Sequence, residues 1–104
     1  MYLHLGEKTI VALDDVVGIF DLETATISKN TREYLKMAEK NSDVINVTLE
    51  MPKSFIVCSD KTRASGRRVY ISQISALTLL KRAGYIDRIK TGWRKKQWTN
   101  KSGI

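Results

Sequence analysis

Few residues in this chain could do bond-making chemistry, and they do not converge. It holds a single histidine, His4, and a single cysteine, Cys58. His4 stands between Leu3 and Leu5 in a segment of strand-forming residues, so its ring points away from them, a sheet-surface or interface position more than a proton-transfer group. Cys58 follows Phe55-Ile56-Val57, with nothing nearby to stabilise a thiolate, and reads as a small buried hydrophobe. Asp14 and Asp15 are adjacent carboxylates, but neighbours in an extended segment face opposite sides, so the pair reads as a turn. No nucleophile elbow, phosphate loop or metal-ligand cluster occurs, and catalysis, metals and cofactors are not expected.

The chemistry the chain is equipped for is electrostatic. Eighteen Lys and Arg against eleven Asp and Glu give a net charge of +7, an argument about polyanionic partners rather than about fold. The surplus is unevenly placed. Residues 85–104 hold Arg88, Lys90, Arg94, Lys95, Lys96 and Lys101 against Asp87, or +5, whereas residues 1–84 carry +2. Both tryptophans, Trp93 and Trp98, lie in the same terminal stretch. Interleaved cations and indoles fit an arm on nucleic acid, where cations neutralise phosphates and rings stack. They also fit a headgroup anchor, or a helix docked through Ile86, Ile89 and Trp93, spaced i, i+3, i+7, with a wet charged side. A second cluster, Lys61, Arg63, Arg67 and Arg68 within residues 60–68, is either a solubilising hairpin tip or a phosphate clamp.

The elements that position these groups follow from patterning. At 104 residues the chain is sized for one small domain, and its hydrophobic fraction of 42% excludes global disorder. No apolar run is long enough to span a bilayer, no secretion signal opens the chain, and one unpaired cysteine excludes a disulfide framework, so the cytoplasm is the expected compartment. Residues 2–13 read as a hairpin turning at Gly6-Glu7-Lys8, and Val16–Phe20 as a buried strand with a bulge hinted by Gly18. Asn30 with Glu33 fits a capping signal for a helix to about Lys40. Strands are expected over Val44–Leu49, Ser54–Ser59 and Val69–Ile71, then a short helix capped by Ser75 and closed at Gly84. The expected fold is α+β: one small, strongly bent antiparallel sheet of five or six strands, helices near 30–40 and 75–83, and a basic Trp-containing extension over 85–104. Exposed edges in so small a sheet favour a homo-oligomer.

The stretches MYLHLGEKTIVALDDVVGIFD, TISKNTREYL, VINVTLEMPKSFIV and VYISQISALTLLKR resemble the RemB branch of the RemA/RemB extracellular-matrix regulators, over about residues 1–84 with an individual insertion at 60–68. The resemblance implies a non-enzymatic DNA-associated regulator of bacterial biofilm genes that assembles into a ring and presents arginines to double-stranded DNA, or else a subunit that modulates a DNA-binding sibling. Where that pattern has consecutive arginines before the strand matching Ser54–Ser59, this chain reads Glu50-Met51-Pro52-Lys53, and another family arginine falls near Asp14-Asp15. Nucleic-acid contacts are therefore expected from Lys53, Lys61, Arg63, Arg67, Arg68, Arg88, Lys90, Trp93, Arg94, Lys95, Lys96 and Trp98, the cations on phosphates and the indoles by stacking. A membrane-surface role is the lesser alternative.

Overall fold

The computed structural model describes residues 1–84. The extension over 85–104, with Arg88, Lys90, Trp93, Arg94, Lys95, Lys96 and Trp98, lies outside the described residues.

The chain opens with two strands, β1 (Tyr2–Gly6) and β2 (Thr9–Ala12), paired antiparallel around Glu7-Lys8. Alternation sends Leu3 and Leu5 inward and leaves Tyr2 and His4 outside, as the two-residue period of a strand requires. The expected hairpin is therefore present, but it forms a sheet of its own rather than part of a single bent one. Gly6 has φ +118°, and a Cβ there would come within 3.0 Å of the Gln73 side chain, so a larger residue would be both strained and crowded.

After a 3-10 turn over Leu13–Asp15 comes β3 (Val16–Asp21), then the short helix α1 (Leu22–Ala25), helix α2 (Lys29–Lys40), β4 (Val44–Asn46), β5 (Ser54–Ser59), β6 (Arg67–Ser72) and helix α3 (Ala76–Arg82). The second sheet has the order β3-β5-β6-β4, and β4 runs parallel to β6. An all-antiparallel sheet is corrected on that point. The cause is connectivity: α2 carries the chain from the β3 edge across to the opposite edge, and a helical crossover of this kind delivers a parallel strand. The register slips between Val16 and Gly18 opposite β5, which is the bulge that Gly18 suggests.

Three further boundaries differ from the sequence expectation. Helix α2 is capped by Ser28, whose Oγ accepts from the Thr31 N–H at 3.4 Å, so the Asn30–Glu33 pair lies inside the helix. The strand expected to Leu49 stops at Asn46. Helix α1, four residues long with Asp21 as its cap, has no counterpart in the sequence pattern, because it is too short to show a helical period. In contrast, Ser75 caps α3 and Gly84, at φ +71°, follows its end.

Strand β5 is buried from Ser54 to Cys58 because both faces of the second sheet are covered. On one face Phe55, Val57 and Val69 pack with Ala38 of α2, and Phe20 stacks on Phe55 at 4.9 Å. On the other, Ile56, Cys58 and Tyr70 pack with Leu3, Leu5 and Leu13 of the hairpin segment and Leu79 of α3. Ser72 Oγ donates to the Leu5 carbonyl at 2.7 Å, a buried bond that ties the two sheets together.

Candidate nucleic-acid interface

The β5–β6 connection, residues 60–66, brings the basic cluster to one end of the second sheet. Asp60 organises it. Its carboxylate accepts from the Thr62 N–H at 2.9 Å and the Thr62 hydroxyl, and from Arg63 Nε at 3.1 Å. Its backbone N–H donates to the Gly66 carbonyl at 2.8 Å. The hydrogen bonds to the carboxylate, led by those from Thr62, hold the Asp60 carboxyl below its usual range, since donors aimed at a carboxylate favour its charged form.

The expected loop over residues 60–68 is shorter than its sequence suggests, because Arg67 and Arg68 pair with Ser59 and Cys58 as the head of β6; the four cations fall into two classes. Arg63 reaches back across the fold: its Nη1 donates to the Ser42 carbonyl at 3.0 Å and lies 3.4 Å from Asp43 Oδ1. Asp43 is buried, and its backbone meets β6 through the Val69 N–H. Arg68 Nε lies 3.3 Å from Asp60 Oδ2, an ion pair without the alignment of a hydrogen bond, and its guanidinium sits over the Tyr70 ring at 5.5 Å. Both arginines are thus matched by carboxylates: Arg63 holds the tip to the segment between α2 and β4, and Arg68 holds Asp60 to the head of β6.

Lys61 and Arg67 form the other class. Lys61 is exposed at the tip. Arg67 lies over the Tyr34 ring at 5.3 Å and donates from Nη1 to its hydroxyl at 3.2 Å. Tyr34 therefore orients the guanidinium without neutralising it. Neither Tyr34 nor Asp60 stands among the site residues that the sequence suggests. The Asp60-x-Thr62 spacing directly after a strand is the local signal that points to Asp60.

Lys53 does not join this cluster. It precedes β5 while Lys61 follows it, and a strand of that length separates them by roughly 20 Å. Its backbone is fixed, accepting from the Leu22 N–H at 2.9 Å and donating to the Ser72 carbonyl at 2.8 Å, and its side chain is exposed.

The two candidate reactive groups, Cys58 on β5 and His4 on β1, lie in different sheets. Cys58 is fully buried, and burial pushes its thiol up to about 12. His4 is exposed, its Nε2 2.9 Å from the Glu7 carbonyl. Among the described residues no helix is long and apolar enough to cross a membrane.

Comparison with known proteins converges on one group. The RemA-like family, described as extracellular matrix regulatory protein A-like, matches residues 2–83. Extracellular matrix regulatory protein B of Bacillus subtilis (strain 168) is 35% identical over 89 residues, covering 86% of this chain and 98% of that relative.

Proposed function

Because the chain belongs to the RemA-like family of extracellular matrix regulatory proteins, we propose that it regulates matrix genes without catalysis, through contact with the phosphates of double-stranded DNA. The observation that carries this reading is the division of labour at the β5–β6 tip. Arg63 and Arg68 are matched by Asp43 and Asp60 and stiffen the loop, while Lys61 and Arg67 meet no carboxylate among the described residues. A tip ordered in this way offers cations to a polyanion without first having to order a mobile loop.

Lys53 and the +5 extension supply further contacts. The contacts are electrostatic, so affinity falls steeply with salt. In a salt titration of the full chain on duplex DNA, Lys61→Gln with Arg67→Gln is expected to lower the slope of log K against log salt by about 0.9 for each phosphate no longer neutralised. Arg63→Gln leaves the slope unchanged. Equal slopes for all three proteins would reject the clamp.

A second reading is favoured by exposed apolar side chains and open sheet edges. Tyr2 and Ile10 are 75% and 59% exposed on the outer face of the hairpin, and Val17 is 55% exposed on edge strand β3. We propose that these edges are covered in a homo-oligomer, a closed ring being one arrangement, or against a sibling regulator. Light scattering at tens of micromolar is expected to give a mass above that of one chain. A strict monomer that binds duplex DNA only with an added sibling supports the adaptor role instead.

A further inference from the structure

Helix α2 carries cations that belong neither to the tip nor to the extension. Lys29, Arg32, Lys36 and Lys40 recur at helical spacing, and at about 100° per residue they fall on one stripe, turned away from the buried Thr31 and Ala38. All four are exposed. Two acids share the helix: Glu33 lies 3.9 Å from Lys29, and Glu39 flanks the stripe. Lys36 and Lys40 form no ion pair among the described residues.

A merely solvated face would be built otherwise. Helices gain from opposite charges four residues apart and lose from like ones, yet Arg32 with Lys36 and Lys36 with Lys40 are both like pairs at that spacing. Lys29, in the first turn, also opposes the helix dipole. The row therefore costs α2 stability, a cost that a polyanion laid along it would reverse. The setting of Arg32 agrees. Its Nη1 donates to the Thr26 and Ile27 carbonyls at 2.8 and 2.9 Å, neutral acceptors that fix the guanidinium without cancelling its charge and leave Nε and Nη2 able to donate. Arg67 is held in the same manner by Tyr34, itself a residue of α2. Arg32 and Lys36 border one groove of about 320 Å³ beside β4, with Glu39 the one acid there, so both side chains open onto the same space.

We infer that the exposed face of α2 is a second phosphate-contacting surface, an inference that rests on duplex DNA being the partner. Arg32, Lys36 and Lys40 follow one another at about 6 Å along the axis. A strand of the duplex carries one charge for about every 3.4 Å of its own axis, so each of the three finds a phosphate within reach of its side chain.

The salt slope of affinity tests this, because it counts the phosphates neutralised. In the full chain on duplex DNA, Lys36→Gln with Lys40→Gln is expected to lower the slope by about 1.8, with the far-ultraviolet dichroism unchanged. Lys8→Gln with Lys81→Gln removes two charges from the hairpin and α3, which cover the opposite face of the second sheet, and is expected to leave the slope unaltered. A slope unmoved by the α2 pair but lowered by Lys61→Gln with Arg67→Gln would overturn the α2 surface and leave the tip as the clamp. The reverse result would remove the tip and support α2. Equal losses from the α2 and control pairs would mean that net charge alone is read, and would overturn the assignment as well. Binding to phosphatidylglycerol vesicles that the α2 pair abolishes, with an unmoved slope on DNA, would make the row a lipid surface and overturn it equally.

Discussion

Arg63→Ala is expected to destabilise the chain by about 2–3 kcal/mol, below the ~3–5 kcal/mol of a fully buried pair because the arginine is partly open to water. Its side chain is 31% exposed, but that of Asp43, which it faces, is 5% exposed. The substitution leaves Asp43 without its cation, strips a donor from the Ser42 carbonyl, and frees the tip from the end of α2. Arg67→Ala removes only exposed contacts, the one with Tyr34 and a bond from Nε to the Ser65 carbonyl, the cation over the ring being worth about 0.5–1 kcal/mol. Urea unfolding therefore ranks Arg63 well above Arg67, whereas the salt dependence of DNA affinity ranks them the other way. A common order in both measurements would mean that the tip does not divide into structural and ligand-facing cations. Acid gives a consistency check. The folded state holds the Asp60 carboxyl lower than the unfolded state does, so its contribution is present above about pH 4 and is lost as pH falls through the lowered value.

The division between Arg63 and Arg67 also marks the limit of what patterning reveals. Strand β5, the bulge at Gly18 and the Ser75 cap are legible because their causes are local: a continuous apolar run, a glycine inside a strand, a hydroxyl three residues before the amide it accepts from. The partners of Arg63 are not local. Asp43 is twenty residues away in sequence and becomes adjacent only when β4 pairs with β6 and positions it beside the loop. Charge counting over residues 60–68 finds four cations and one acid, but not the second acid brought in from the end of α2. The parallel β4 is hidden for a related reason. Its direction follows from the path of α2 across the sheet, which a three-residue strand does not record. In the same way, the hairpin is evident in its turn and its alternation, yet its separation into a sheet of its own goes with packing against Ile56 and Leu79, neighbours that no window of sequence contains.

Neutralising the extension is the substitution set with the largest expected functional effect. Arg88, Lys90, Arg94, Lys95 and Lys96 changed together to Gln remove five of the six cations in residues 85–104. If each meets one phosphate, the salt slope falls by about 4.5, and affinity at 0.1 M salt falls on the order of a thousandfold or more. A filter-binding titration of the full chain across several salt concentrations reads both quantities, and an unchanged slope rejects the arm. The tryptophans behave differently, because the base faces of a duplex are already stacked on one another and offer no free surface for an indole. Trp93→Ala and Trp98→Ala are therefore expected to leave duplex affinity nearly unaltered. On single strands, where stacking is worth roughly 1–3 kcal/mol per base, the same substitutions would weaken binding. A loss of duplex affinity on either substitution would mean that the indoles touch the nucleic acid directly.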